Sequence, residues 1–197
     1  DLAAIDAVAT RQVVRDEFNI PHVALVVGTV SRLFKEKGHT LLLDAVADLV
    51  EMEQEVYVLI VGTGDERERL GLQAKALGLD ERVCFTGFYD DLSGALRAMD
   101  IFVQPSIDHE GFPTSVLEAQ AAGLPVIASD IGGTHETMDV GTTGILVPPG
   151  NVSLLSEALR MLLMDEEKRK TMAQAARPWI EASFTLECML EKIGKTY

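Results

Sequence analysis

The sequence has few basic residues and no long apolar run. Of its 197 residues, 17 are Lys or Arg and 31 are Asp or Glu, so the formal net charge is −14 at pH 7. A chain this acidic repels a phosphate backbone, which argues against a general nucleic-acid binder. A local basic pocket for a small phosphorylated ligand stays compatible with that charge. No apolar run reaches the ~18 residues that a membrane-spanning helix requires.

Cysteine is also scarce. The two cysteines, Cys84 and Cys188, lie far apart in the chain, and no signal peptide is visible. We therefore expect free thiols and a cytoplasmic setting. The chain begins with Asp1 instead of Met, inside a helical pattern over Leu2–Phe18. This start predicts a piece of a longer protein.

The composition is that of a globular domain, with 47% hydrophobic and 24% charged residues. Short apolar runs, most of them rich in β-branched residues, alternate with amphipathic segments. Almost unbroken apolar runs are typical of strands buried on both faces of a parallel sheet. The alternation predicts an α/β fold: a Rossmann-like, doubly wound parallel sheet of about six strands with helices on both faces and a helical C-terminal tail. The runs are Val23–Gly28, Val56–Gly62, Arg82–Thr86, Asp100–Gln104, Pro125–Ser129 and Gly144–Val147.

Helical spacing of apolar residues fills the intervals and the end of the chain. Gly78 and Gly123 are placed to end two of these helices. Pro178 falls late in another and predicts a kink or an end there. The predicted helices are Thr40–Met52, Glu66–Leu77, Leu92–Met99, Ser115–Ala122, Ser153–Met164, Glu166–Ile180 and Leu186–Thr196.

In open α/β sheets, ligands bind beyond the carboxyl ends of the strands, so the loops after the runs are the candidate sites. The first loop carries two cations, Arg32 and Lys37, in an otherwise acidic protein. Arginine grips phosphate oxygens bidentately and lysine supplies a compact charge. The alternative is an ordinary solvated loop.

The second loop, Gly62-Thr63-Gly64-Asp65-Glu66-Arg67, resembles a dinucleotide fingerprint but has Arg67 at the third glycine position. Its two acids would repel a pyrophosphate, so we interpret it as a tight turn in which Asp65 caps the following helix.

The third loop begins Gly87-Phe88-Tyr89. Its glycine permits close backbone approach, and its aromatic rings could flank a flat ligand ring. Equally, the rings could cover the edge of the core, with Asp91 capping the next helix.

The fourth loop combines two carboxylates with a helix start. Seven residues separate Glu110 from Glu118, and the amides of Thr114, Ser115 and Val116 are expected to lie free at the helix N-terminus, as a site for a phosphate anion. The carboxylates could accept bonds from sugar hydroxyls. Alternatively, Ser115 and Glu118 form a capping box.

The fifth loop contains two adjacent glycines, Gly132 and Gly133. Adjacent glycines allow tight backbone approach, so we expect them to shape the wall of the cleft. His109 and His135 carry no assigned role.

Seven landmarks in this order resemble the C-terminal, nucleotide-sugar-binding half of the retaining glycosyltransferases of family 4, which have the GT-B fold. The resemblance runs from about Val23 to Ala182. The landmarks are Arg32 with Lys37-Gly38, Val61-Gly62-Thr63-Gly64, Val83-x-Phe85-x-Gly87, Glu110-Gly111-Phe112 with Leu117-Glu118-Ala119, Gly123-Leu124-Pro125-Val126, Gly132-Gly133-x2-Glu136, and Gly144-Ile145-Leu146-Val147-Pro148-Pro149-Gly150.

The resemblance implies a role for each matching residue. Arg32, Lys37 and Glu110 would be catalytic: the two cations would hold the donor diphosphate and Glu110 would face the donor sugar. Glu118 would bind the donor by holding the ribose hydroxyls. No cofactor or metal is implied. The remaining donor-binding positions are the backbone of the fourth loop, at Gly111, Phe112, Pro113, Thr114, Ser115 and Val116, and the base-facing loop Gly87, Phe88 and Tyr89.

The resemblance also implies a missing half. Residues 1–20 would be a linker helix from an N-terminal acceptor-binding domain, 21–182 the donor-binding domain, and 183–197 a crossover helix. Peripheral membrane contact through that N-terminal half is left open. The implied function is transfer of a hexosyl group to a glycan, lipid or small-molecule acceptor, with this part inactive alone. A non-catalytic nucleotide-sugar-binding regulatory module is the alternative, and an upstream domain in the full-length gene would favour the enzyme. For a nucleotide-sugar epimerase the sequence carries no acid/base signature.

Overall fold

The computed structural model describes residues 11–50, 55–185, 188 and 190. Within them, six parallel strands form one sheet in the order β3-β2-β1-β4-β5-β6. This confirms the predicted fold class. The strands are β1 (Leu25–Val30), β2 (Val56–Val61), β3 (Val83–Gly87), β4 (Ile101–Gln104), β5 (Val126–Ser129) and β6 (Gly144–Val147).

Helices connect the strands. Two 3-10 turns, Lys35–Lys37 and Thr134–Thr137, follow β1 and β5. The α-helices are α1 (Arg11–Glu17), α2 (His39–Val50), α3 (Arg67–Ala76), α4 (Leu92–Ala98), α5 (Thr114–Ala121), α6 (Val152–Met164) and α7 (Glu166–Ser183). Most predicted ends agree to within two residues. The beginning of the predicted helix Leu2–Phe18, residues 51–52 and most of Leu186–Thr196 lie outside the described residues.

The core has two layers, one on each face of the sheet. In β2, Val58 and Ile60 point into the layer formed with α2, α3 and α6, whereas Leu59 and Val61 point into the layer formed with α1, α4 and α5. All four side chains are buried. Because successive strand residues face opposite sides, burial of both faces explains the unbroken apolar run.

Strand β1 is displaced from the predicted Val23–Gly28. Val23 is 87% exposed in the turn before the strand, and pairing with β2 continues to Val30 opposite Val61. An apolar residue next to a strand is not necessarily part of it, because the register of the neighbouring strand decides which residues pair.

The sequence predicts that Pro178 kinks or ends its helix; helix α7 continues through it to Ser183, so the predicted end is wrong. Proline removes the amide that would bond the Gln174 carbonyl. The helix is held on both sides of that position, because Ala176 and Ile180 are buried and Arg177 pairs with Glu181 at 2.9 Å. Packing outweighs the local cost here.

The predicted cap at Asp91 is present, a further cap forms at Asn151, and the predicted cap at Asp65 is wrong. Asp91 accepts a bond from the Gly94 amide at 2.8 Å, and Asn151 from the Leu154 amide at 2.9 Å. Asp65 caps nothing: helix α3 begins after Glu66, whose backbone is already helical. The Glu66 carboxylate instead pairs with Arg69.

Among the described residues, no helix combines the length and the low polarity needed to cross a membrane.

Candidate functional site

A cavity of about 330 Å³ opens at the carboxyl ends of β1 and β4. It brings together residues far apart in the chain: the three predicted catalytic residues Arg32, Lys37 and Glu110, and the predicted donor-binding Glu118. Its lining is Val30, Ser31, Arg32, Lys37, Gln104, Glu110, Phe112, Pro113, Thr114, Ser115 and Glu118. The cations of the first loop and the carboxylates of the fourth therefore share one crevice.

The glycine turn after β2 holds the backbone that carries Arg32. The Leu33 amide donates to the Thr63 carbonyl at 2.8 Å. A Cβ on Gly62 would lie 1.9 Å from the Ser31 carbonyl oxygen, and one on Gly64 would lie 2.4 Å from that of Leu33. Only residues without a side chain permit this approach. The Gly62-Thr63-Gly64 turn therefore shapes the Arg32 loop.

The Arg32 guanidinium rests over the Phe34 ring, 4.9 Å from the ring centroid. Stacking on an aromatic face leaves the outer N–H groups of an arginine available to an anion. The side chain is otherwise exposed.

His39 supports the same loop from below. Its imidazole is buried, and its Nε2 lies 2.8 Å from the Ser31 hydroxyl oxygen. The Ser31 hydroxyl donates onward to the Arg32 carbonyl at 3.3 Å. Burial, with the nearby Lys37 charge, lowers the pKa of His39 to about 4, so the ring is neutral at pH 7.

Lys37 reaches the site because its turn packs against the end of β4. The Ile107 amide donates to the Glu36 carbonyl at 2.8 Å. Gly38 has φ of +68°, and a Cβ there would lie 1.9 Å from the Pro105 carbonyl oxygen. This contact places Lys37 Nζ 2.5 Å from Glu110 Oε1, an ion pair across 73 residues of sequence.

Glu110 is buried at 8% exposure, and its backbone is fixed by the glycine pair after β5. The Gly133 amide lies 3.2 Å from the Glu110 carbonyl oxygen and 3.0 Å from that of Gly111. A Cβ on Gly132 would lie 1.6 Å from the Glu110 carbonyl oxygen. Gly132 and Gly133 line neither cavity themselves; they contact the backbone of Glu110, which lines the first one.

Helix α5 begins one residue earlier than predicted. The residue before it is Pro113, which offers no side-chain cap, so Ser115 and Glu118 form no capping box. The Val116 amide donates to the Pro113 carbonyl at 3.2 Å, so the expectation that it is free is wrong. The amides of Thr114 and Ser115 have no hydrogen-bond partner within the described ranges.

Glu118 therefore lies in the second turn of α5 and lines the cavity. It makes no hydrogen bond or ion pair to another residue that the structure describes. Burial raises the pKa of this carboxyl. A half-buried carboxylate without a protein partner is suited to accept bonds from hydroxyl groups of a ligand.

A second cavity of about 240 Å³ adjoins the first, because Val30, Ser31 and Arg32 line both. Its other lining residues are Val61, Gly62, Thr63, Phe88, Tyr89 and Leu92. Two of the three predicted base-facing residues thus lie at this cavity.

These two aromatic side chains differ. Phe88 is 80% exposed. Tyr89 packs edge-on against Phe18 and donates to a Glu17 carboxylate oxygen at 2.7 Å, so its hydroxyl is already engaged with α1.

The other predicted donor-binding residues take different places. Phe112, Pro113, Thr114 and Ser115 line the first cavity. Gly111 and Val116 line neither cavity, and Gly87 contributes a turn with φ of +70°. His109 is exposed beside Asp108.

Two site residues and one supporting contact escaped the sequence reasoning. Gln104 and Ser106 are buried; Gln104 lines the cavity, and Ser106 donates to Glu110, which also lines it. Gln104 is the one polar residue at the end of the apolar strand β4, and this position could have indicated a site residue. The ring of Phe112 lies 5.9 Å from that of Phe184, just past the end of α7, and no local pattern predicts this contact.

Comparison with known proteins places these features in a family. The sequence model of the family described as "Glycosyl transferases group 1" matches residues 10–179. The chain is 38% identical over 192 residues to D-inositol 3-phosphate glycosyltransferase of Corynebacterium jeikeium, covering 93% of this chain and 45% of that protein. It is 33% identical over 161 residues to 2-deoxystreptamine glucosyltransferase of Streptomyces kanamyceticus, covering 81% and 41%. The chain thus spans less than half the length of these curated relatives.

Solved structures agree. The Anabaena protein HepE in complex with UDP superposes with a TM-score of 0.90 at 28% identity, covering all of this chain and 54% of HepE. The C-terminal domain of a group 1 glycosyl transferase from Francisella tularensis superposes with a TM-score of 0.82 at 26% identity, covering 94% of this chain and 98% of that domain. With its Rossmann-like sheet and a family match over most of its length, this chain belongs to the group 1 glycosyl transferases, which have the GT-B fold.

Proposed function

We propose that this chain is the donor-binding half of a retaining glycosyltransferase and binds a nucleoside-diphosphate sugar in the cavity between β1 and β4. The proposed reaction transfers a hexosyl group to a glycan, lipid or small-molecule acceptor. The observation that carries the proposal is the shared lining of Arg32, Lys37, the α5 N-terminus and two carboxylates.

The electrostatics of the cavity suit a diphosphate. Arg32, Lys37 and the unpartnered amides of Thr114 and Ser115 offer positive charge and N–H donors in a chain of net charge −14. Breaking a glycosyl phosphate bond leaves negative charge on the departing diphosphate. Fixed donors stabilise that charge more in the transition state than in the ground state, which is how such a site accelerates transfer.

The carboxylates suit the neutral parts of the same ligand. Glu110 lies beside Lys37, where a sugar attached to the second phosphate would be held, and Glu118, which lines the same cavity, would accept bonds from the ribose hydroxyls. The adjoining cavity at Phe88 and Tyr89 is the proposed seat of the base. HepE, which superposes closely, has been solved with UDP and with UDP-glucose.

From the family resemblance we further propose that the enzyme belongs to family 4, retains the anomeric configuration and needs no metal. We also propose that it is cytoplasmic, with peripheral membrane contact left open. This part would be inactive without an N-terminal acceptor-binding domain.

Calorimetric titration of the chain with UDP, GDP and ADP tests the proposal. We expect one nucleotide to bind with a dissociation constant between micromolar and millimolar, and its identity would name the base. Lys37→Ala should weaken that binding. Lys35→Ala is the matched control, since Lys35 is exposed in the same turn and lines neither cavity. Failure of all three nucleotides to bind at millimolar concentration would overturn the donor role.

A further inference from the structure

Gln104 and Ser106 form a buried hydrogen-bonded chain that ends on Glu110. Gln104 Nε2 lies 3.1 Å from Ser106 Oγ, and Ser106 Oγ lies 2.6 Å from Glu110 Oε1. Gln104 is 4% exposed and Ser106 is fully buried. Neither residue carries a role in the function proposed above.

The chemistry of the three groups fixes the direction of this chain. A carboxylate only accepts, so the single Ser106 hydrogen is donated to Glu110. The Ser106 oxygen can then only accept from Gln104, which requires the Gln104 amide nitrogen to face it. The order is Gln104 N–H to Ser106 O–H to Glu110.

This orientation of the Gln104 amide leaves its oxygen unpaired among the described residues, which costs stability and argues that the donated hydrogen bond is needed. Gln104 Oε1 is buried and has no hydrogen-bond partner in the described part of the chain. An apolar residue would end β4 without that cost, because buried polar groups left unpaired are destabilising. Gln104 is therefore present for its donor group.

Two groups, the Ser106 hydroxyl and the Lys37 ammonium, donate to the same oxygen of Glu110. Ser106 Oγ and Lys37 Nζ bond Oε1, at 2.6 and 2.5 Å, and no bond from a described residue to Oε2 is present. Two donors on one oxygen fix the carboxylate plane and leave the second oxygen available at the cavity.

We infer that Ser106, oriented by Gln104, is a positioning residue that anchors Glu110 Oε1 and thereby presents Oε2 to the donor sugar. The inference deepens the proposed function and rests on it for the identity of the ligand. The part that does not depend on the ligand is that Ser106 fixes the Glu110 rotamer with which Lys37 pairs.

The side-chain ammonium of Lys37 in ¹⁵N-lysine-labelled chain reports on this arrangement without any nucleotide. An ammonium held in a partly buried ion pair exchanges its hydrogens more slowly than a free one and gives a ¹H–¹⁵N signal, which Lys37→Arg assigns. We expect Ser106→Ala to abolish the signal, because an unanchored Glu110 no longer holds the ammonium. Gln104→Met, of similar volume, should broaden it, and Glu110→Gln should abolish it.

Thr143→Val is the matched control. Thr143 is a buried hydroxyl whose Oγ1 accepts from the Asp139 amide at 3.0 Å, just before the amino end of β6. We expect this variant to keep the Lys37 signal at a comparable loss of stability.

An unchanged Lys37 signal in folded Ser106→Ala would overturn the inference. If Ser106→Ala does not fold, an unchanged signal in Gln104→Met overturns it in the same way. Titration of the unaltered chain with UDP, GDP and ADP runs in parallel. Loss of the ammonium signal without nucleotide binding supports the anchor and refutes the proposed ligand, so the two failures are distinguishable.

Discussion

Neutralising Glu110 should tighten the binding of a nucleoside diphosphate. In the empty site the Lys37 ammonium is already bonded to Glu110 at 2.5 Å, so an incoming diphosphate competes with a protein carboxylate for the same cation. A hydrogen bond to a charged group is worth about 1.5–3 kcal/mol, and the diphosphate has to displace part of it. Glu110→Gln removes the competing charge and keeps the side-chain volume. We expect an affinity gain of about 1–2 kcal/mol, roughly five- to thirtyfold.

The assay is calorimetric titration of both proteins with whichever of UDP, GDP and ADP binds the unaltered chain. Asp108→Asn is the control for a general charge effect, since it removes a charge from the same loop on a side chain that is 60% exposed and lines neither cavity. Exposed charges are screened, so its effect should stay below about twofold. If Glu110→Gln binds no tighter than the unaltered chain, Glu110 is not the competitor of the diphosphate for Lys37, and the reasoning fails.

Four further outcomes are expected. Lys37→Ala should weaken diphosphate binding by about 1.5–3 kcal/mol in the same titrations, the range for a hydrogen bond to a charged group, and an unchanged affinity would remove Lys37 from the site. Glu118→Gln should weaken binding of the nucleotide with no loss of thermal stability, because the structure gives Glu118 no capping bond; a drop in melting temperature alone would restore the capping role. His39 stays neutral in the folded protein with a pKa of about 4 against 6.5 in the unfolded chain, so its contribution to stability is present above pH 6.5 and is lost as the pH falls. When the pH is lowered from 7 to 5.5, the free energy of unfolding measured with urea should fall by about 1 kcal/mol more in the unaltered chain than in His39→Gln. An equal fall in both proteins would contradict the buried neutral ring. Finally, EDTA should leave nucleotide affinity unchanged, whereas a loss that Mg²⁺ restores would show a metal requirement.

The sheet could be predicted because its signal is local. Val56–Val61 is apolar throughout, and a strand buried on both faces needs nothing else to be recognised. The displacement of β1 could not be predicted, since pairing with a neighbouring strand decides it and Val23 is as apolar as the strand residues that follow.

The candidate site likewise has residues that a local pattern predicts and contacts that depend on residues far apart in the chain. Arg32 and Glu110 were identified because they follow strands and match family landmarks. The bond between Lys37 and Glu110 spans 73 residues and depends on Gly38 seating against Pro105, a contact that no local pattern encodes. The pattern Ser115-x-x-Glu118 misled for the opposite reason: it is a sound local signal, but the helix begins one residue early, after Pro113, and Ser115 is already inside it.

The contact between Phe112 and Phe184 has a consequence for where this unit can be shortened. The family resemblance ends near Ala182, yet Phe184 touches the Phe112 ring, and Trp179 packs on Phe184 at 6.2 Å. A chain that ends at Ala182 would keep every strand of its sheet. It would lose Phe184, whose ring packs against Phe112 at the edge of the ligand cavity. Its nucleotide affinity should fall while its circular dichroism spectrum is preserved. Equal affinity of the shortened and full chains would show that Phe112 keeps its position without Phe184.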